Sequence, residues 1–176
     1  MPRTGAGRYA PLMSSEPADP GRPVARRFDS PEQEAYLNLW RTYDRLRAVE
    51  DELFDRYDLT AQQYNALRLL RAARPGRIPT LALGGRLVSR APDITRLVDR
   101  LEARGLVERV RPAANRRLVE IGITEAGLAL LTELDPQVRD CNARQLGHLG
   151  RAELRTLNGL LRQARAPHEP DDSDWR

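Results

Sequence analysis

Residues 88–107 read VSRAPDITRLVDRLEARGLV, and the spacing of the apolar side chains in this stretch decides the fold. Ile94, Leu97, Val98 and Leu101 fall at i, i+3, i+4 and i+7, the period that gathers them on one face of a helix. Ser89 is expected to be its N-cap, Pro92 to lie in the first turn, and Gly105 to close it in the left-handed conformation. Steps of about 100° per residue put Pro92, Arg96, Asp99 and Ala103 opposite the apolar stripe, with Asp93, Thr95 and Arg100 beside them. Two readings fit this helix taken alone. It is a solvated amphipathic helix with ordinary surface arginines, or it is shaped for a DNA major groove, where Arg grips guanine and short neighbours allow close approach.

The residues that follow favour the second. Residues 106–111 turn towards strand character, and 118–123 place Val119, Ile121 and Ile123 on one face at period two. Between them lies RVRPAANRR, with Arg109, Arg111, Arg116 and Arg117 around a Pro-Ala-Ala-Asn turn. An arginine-tipped hairpin directly after a helix reads as the wing of a winged helix, able to enter a narrow minor groove of negative potential. From Arg86 to Arg117 there are nine arginines against Asp93, Asp99, Glu102 and Glu108, a local excess of five in a chain of net charge +4. The remaining residues are therefore close to neutral, and the basic character is a footprint.

RLVSRAPDITRLVDRLEARGLVERV (86–110) followed by NRRLVEIGITEAG (115–127) resembles the multiple-antibiotic-resistance regulator (MarR) family of bacterial winged-helix repressors. Helix, glycine turn, paired-arginine wing and Ile-Thr-Glu-Ala-Gly exit come in the family's order, and a weaker likeness extends over about 30–165. The resemblance implies a homodimer on a pseudo-palindromic operator, released by a small phenolic or oxidant signal. Two departures stand out. Asn115 occupies a position where the family carries an acidic residue expected to orient the wing arginine, and Asn offers only a neutral hydrogen bond. Gly84-Gly85 replaces an expected Ala-Glu pair in the positioning helix and should weaken it by roughly 1 kcal/mol per glycine.

The 176 residues suit one domain with extensions. All 29 basic residues are Arg, which we read as genome composition, and the pI near 9.8 suits a polyanionic partner. No apolar run is long enough to span a membrane, and 1–29 lacks the apolar core of a signal peptide, so the expected location is the cytoplasm. One cysteine leaves no intramolecular disulfide.

In chain order, 1–27 holds five prolines outside any apolar period and is expected to be a disordered basic tail. Ser30 and Pro31 open a helix of about 26 residues, with Tyr36, Leu39, Trp40, Tyr43, Leu46, Leu53 and Phe54 at helical spacing, broken at Asp58 and Leu59. Thr60 and Gln63 form a capping box for a second helix with Tyr64, Leu67 and Leu70 inside. A strand is expected at Ile78, and a short third helix over 80–87, capped by Thr80. After the wing, Thr124 starts a helix striped by Leu130, Leu131, Leu134, Val138, Cys141 and Gln145, with Pro136 inside it. A break at 147–150 precedes an amphipathic helix over 151–165 with Leu154, Leu157, Leu160 and Leu161, then an acidic disordered tail over 166–176. The fold expected is mainly α with a small β wing. It is a winged helix-turn-helix lobe over about 60–123 with long dimerisation helices over about 30–57 and 124–165, in a domain over 28–165. A twofold-related copy would cover the apolar terminal helices and set two recognition helices roughly 34 Å apart.

Chemistry other than binding has little support. His148 and His168 have no partnered nucleophile, and no phosphate loop, dinucleotide fingerprint or metal cluster occurs, so no enzyme activity, cofactor or metal is expected. Asp171, Asp172 and Asp174 read as a solvated tail, and Cys141 as a buried small residue more than a redox sensor. Trp40, Tyr43 and Tyr64 either line a pocket for a small phenolic or hydrophobic effector or belong to the core. The expected partners are double-stranded DNA and a second copy. Arg96, Pro92, Asp93 and Thr95 are assigned to base edges and Arg90 and Arg100 to phosphates. Arg111, Arg116 and Arg117 serve the wing, and Ser89 completes the DNA-binding set. The alternative is a winged helix used only for protein interaction, which has no need of an arginine tip.

Overall fold

The computed structural model describes residues 28–88, 93–113, 115, 117–171 and 173. The expected tail at 1–27, the expected cap Ser89, and Arg90, Pro92 and Arg116 lie outside them, as do Asp172 and Asp174. Two units divide the chain at Asn38 and Leu39.

Helix α1 (Pro31–Asp55) begins as its sequence suggests: the Ser30 hydroxyl accepts from the Gln33 backbone N–H at 3.1 Å, and the Gln33 side chain exchanges hydrogen bonds with Asp29. Only Leu53 and Phe54 of α1 are buried, whereas Tyr36, Leu39, Trp40 and Tyr43 are exposed in the single chain. The helix ends at Asp55, and the turn after it holds Asp58 at a left-handed φ of 49°. Helix α2 (Ala61–Ala72) opens with the expected capping box, Thr60 Oγ1 accepting from Gln63 N and Gln63 Oε1 from Thr60 N.

Strand β1 (Ile78–Pro79), helix α3 (Thr80–Arg86), helix α4 (Ile94–Ala103), strand β2 (Val107–Val110) and strand β3 (Glu120–Ile123) complete the lobe. The strands form an antiparallel sheet in the order β1-β3-β2, with Ile78 opposite Ile121 and Val107 opposite Ile123. Leu67, Leu70, Leu83, Val98, Leu101 and Ile121 fill the core beneath it. Thr80 corrects the expectation made for it. It is the first helical residue of α3, and Pro79 stands at the N-cap without a side-chain bond. The Thr80 hydroxyl and backbone N–H both go instead to the Val119 carbonyl, at 3.1 Å each, tying α3 to the entry of β3.

Helix α5 (Glu125–Leu146) is capped by Thr124 and continues through Pro136. Arg71 of α2 grips Asp135 of α5 with two hydrogen bonds of 2.9 and 3.0 Å, and Arg144 bonds Glu52 of α1 at 2.8 Å. Those contacts fasten α5 to α2 and to the end of α1. Helix α6 (Arg151–Arg165) buries no residue in the single chain, and its Leu160 is 59% exposed. Beyond it, the segment expected to be unstructured opens with a 3-10 turn (Ala166–His168), and Arg165 pairs with Glu169.

Candidate nucleic-acid interface

Helix α4 rests on the lobe through Leu97, Val98 and Leu101, all buried. Its start corrects the sequence expectation: the N-cap is Asp93 and not Ser89. The Asp93 carboxylate accepts from the Arg96 backbone N–H at 3.0 Å. Its other oxygen lies 3.4 Å from Arg96 Nε. Asp93, expected at a base edge, is thus engaged in shaping the helix start and in steering Arg96, whose side chain is 80% exposed. The helix ends as expected. Gly105 has φ +67°, its N–H goes to the Glu102 carbonyl, and the Leu106 N–H goes to the Leu101 carbonyl. That pair of bonds is the Schellman closure, and it reverses the chain into β2.

The wing's base is locked from the other side. Thr124 donates its hydroxyl to the Gly105 carbonyl at 2.6 Å and its N–H to the Leu106 carbonyl at 3.1 Å. Gly127 packs against the same carbonyl so closely that a Cβ there would stand 2.3 Å from it. The Thr and Gly of the Ile-Thr-Glu-Ala-Gly exit are therefore one joint between the turn after α4 and the start of α5.

In the wing, Asn115 does not hold the Arg117 guanidinium. Its side-chain carbonyl accepts from the Arg117 backbone N–H at 3.1 Å, a bond over two residues that shapes the turn. Among the described residues no carboxylate pairs with Arg100, Arg111 or Arg117. Two other arginines of the basic stretch are engaged internally. Arg104 donates to the Tyr57 and Asp58 carbonyls at 3.0 and 2.5 Å, capping the end of α1. Arg109 reaches from β2 to α4, where it bonds Asp99 at 2.5 Å, Glu102, and the Thr95 carbonyl at 3.4 Å. Partial burial opposes the charge on Arg109, but the two carboxylates outweigh it and raise the pKa above the usual arginine value. The local excess of positive charge counted from sequence is thus unevenly available. Arg96, Arg100, Arg111 and Arg117 present it to solvent.

One groove of about 670 Å³ unites these elements. It is lined by Pro79, Thr80, Leu81 and Ala82, by Thr95 and Asp99 of α4, and by Arg109, Arg111, Arg117, Leu118 and Val119 of the wing. The structure thus brings expected DNA-facing residues of helix and hairpin, Thr95, Arg111 and Arg117, onto one surface. Sequence reasoning missed Leu81, which is 87% exposed at its rim, and the pairing of Asp99 with Arg109. The latter had a signal. Gly105 turns the chain back, so a residue four positions beyond it returns alongside residues three and six positions before it.

Of the aromatic residues considered for an effector, Tyr64 is buried, its ring 4.7 Å from that of Phe54, with Arg68 over its face. It is a core residue. Trp40 and Tyr43 stay 61% and 57% exposed, and the interface groove includes none of the three. Cys141 is buried, with its Sγ 3.7 Å from the Val49 carbonyl, and burial pushes its thiol pKa up. No cluster of metal-ligating side chains occurs among the described residues, and no helix among them is long and apolar enough to cross a membrane.

Comparison with known proteins agrees with this geometry. The family model described as the MarR family matches residues 59–119, from the loop before α2 to the wing. The transcriptional repressor NicR of Pseudomonas putida is 32% identical over 136 residues, which cover 77% of this chain and 84% of NicR. A MarR transcription factor from Planctomyces limnophilus is 56% identical, with a TM-score of 0.62, covering 77% of this chain and 98% of that one. BpsR of Bordetella bronchiseptica, whose DNA binding is regulated by 6-hydroxynicotinic acid, is 29% identical with a TM-score of 0.64, covering 76% and 93%. A winged helix with an arginine wing, matched over most of its length by a repressor and a transcription factor of one kind, belongs with them: this chain is a member of the MarR family of transcriptional regulators.

Proposed function

We propose that the chain acts in the cytoplasm as a homodimeric repressor of a pseudo-palindromic operator, released by a small aromatic or hydrophobic effector. The observation that carries this reading is the groove shared by α4 and the wing. It sets Thr95 of the helix beside Arg111 and Arg117 of the hairpin, as a protein must when reading the major groove with a helix and the flanking minor groove with a basic tip. In this reading Arg96 and Thr95, with Pro92, approach base edges, Arg90 and Arg100 favour phosphates, and Ser89 belongs to the same DNA-facing set. Arg111, Arg116 and Arg117 enter the minor groove. Asp93 serves by capping the start of α4, with Arg96 3.4 Å away as an ion-pair partner.

The dimer is argued from apolar surface. Leu39, Trp40 and Tyr43 on α1 stay exposed, as does Leu160 on α6 beside half-buried Leu154, Leu157 and Leu161. Pairing such faces across a twofold axis removes them from water and spaces the two recognition helices about one DNA turn, roughly 34 Å. The effector class follows from BpsR, which responds to a hydroxylated aromatic acid. Trp40 and Tyr43 are its candidate contacts here, and Tyr64 drops from the set because it is packed in the core.

The test is selection of bound duplexes from a random pool, followed by titration of the selected site at several salt concentrations. A two-half-site motif, affinity falling steeply with salt, and a dimer in sedimentation equilibrium are expected. A monomer that ignores every duplex at low ionic strength would overturn the proposal. Addition of 6-hydroxynicotinic acid or simple hydroxybenzoates to the complex tests release directly.

A further inference from the structure

Nine arginines crowd residues 86–117, and the way Arg109 faces is set by its place in β2. In β2 it stands opposite Ile121, and cross-strand partners share a face of a sheet. Ile121 is completely buried, as is Val107 two positions before Arg109. Period two therefore aims Arg109 inward at α4, whereas Glu108 opposite Gly122 points outward and pairs with Arg77 at 2.9 Å. The side chain of Arg109 is 24% exposed. Its guanidinium meets Asp99, Glu102 and the Thr95 carbonyl, three points along one stripe of α4.

Those two carboxylates lie on the helix that faces DNA. Left unpaired, each would repel a phosphate. We infer that Arg109 is a positioning residue for DNA binding: one forked guanidinium fixes the wing against the recognition helix and masks Asp99 and Glu102, and it contacts no phosphate itself. The arrangement suits Arg, whose planar fork can serve two carboxylates at once, and not Lys. It couples the two halves of the interface, because a wing detached from α4 would lose its register on the minor groove. The inference rests on the reading that α4 and the wing bind DNA together.

The test uses the full chain and its selected duplex, titrated over a series of salt concentrations. Arg109→Gln is expected to weaken binding about tenfold or more, with the slope of log K against log salt changed by less than about half a unit. Arg117→Ala, the control for a direct contact, should reduce that slope by about one. The triple variant Arg109→Gln with Asp99→Asn and Glu102→Gln should recover most of the affinity, because the exposed carboxylates are gone. Circular dichroism checks that each variant is folded; should Arg109→Gln unfold, the triple variant and Arg109→Lys still decide the matter. Expected then are near-native affinity for the triple variant and a loss for the lysine variant. A slope reduced by a full unit in Arg109→Gln, a triple variant that binds like one lacking a phosphate contact, or a lysine variant with native affinity would each overturn the inference. Failure of the unaltered chain to bind any duplex would instead overturn the proposed function.

Discussion

The same substitution at two glycines should change stability in opposite directions. Gly85 lies in α3 with nothing within 4 Å of where a Cβ would stand. Alanine there narrows the unfolded ensemble and improves helix propensity, a gain of about 0.5–1 kcal/mol. Gly127 lies in the first turn of α5, where a Cβ would stand 2.3 Å from the Leu106 carbonyl oxygen and 2.7 Å from Ile123 Cγ1. Relief needs a movement of about 1 Å at a joint where overpacking costs about 1–3 kcal/mol. That movement also strains the bond from the Thr124 N–H to the same carbonyl, about 1 kcal/mol more. Against the propensity gain of about 0.5–1 kcal/mol, Gly127→Ala should lose about 1–3.5 kcal/mol. The assay is urea denaturation of both variants and the parent at one protein concentration, since a dimer's stability depends on concentration. The midpoints should move apart with unchanged m values. Thermal midpoints should differ by several degrees, at about 2–4 °C per kcal/mol. A Gly127→Ala variant as stable as the parent would refute the claim that this glycine is required by close approach. Loss of stability in Gly85→Ala would refute the claim that the Gly-Gly step merely loosens α3.

Three further outcomes are expected. Arg96→Ala should cost about 1–3 kcal/mol on the preferred site and relax sequence choice, while Arg117→Ala should weaken binding more uniformly; equal losses for Arg96→Ala on all duplexes would remove it as a base reader. Asp135 has its pKa lowered first by hydrogen bonding to Arg71. A depressed carboxylate pKa contributes stability that is complete above the unfolded value, about 3.9, and is lost as pH falls through the folded one. Asp135→Asn should therefore destabilise at neutral pH and flatten the acid limb of a stability–pH curve, which denaturation between neutral and acid pH will show. Cys141 should react slowly with iodoacetamide in the folded protein and rapidly in denaturant, because burial disfavours its thiolate; fast labelling of the native protein would contradict its placement.

Much of the fold was legible because it rests on short-range periodicity and local bonding. The stripe of Leu97, Val98 and Leu101, the capping box of Thr60 and Gln63, the Gly105 closure and the Thr124 cap all follow from residues within one or two turns of each other. The misassigned caps show the limit of that reasoning. Ser89 and Asp93 are equally good N-cap types, and spacing along the sequence does not choose between them. Thr80 looks like a cap, but its hydroxyl goes to a carbonyl 39 residues away. Tyr64 shares its helical spacing with core residues, and only the ring of Phe54 against it says which it is.

The amino-acid order alone established a winged helix, its basic stretch, and terminal helices with more apolar surface than one lobe can cover. Folding decided how the arginines divide. Arg96, Arg100, Arg111 and Arg117 are presented outward, whereas Arg104 closes the end of α1 and Arg109 binds Asp99 and Glu102. A charge has the same sign wherever it sits in a sequence. Its partner depends on which chain segments the turn at Gly105 and the register of β2 bring within hydrogen-bonding reach.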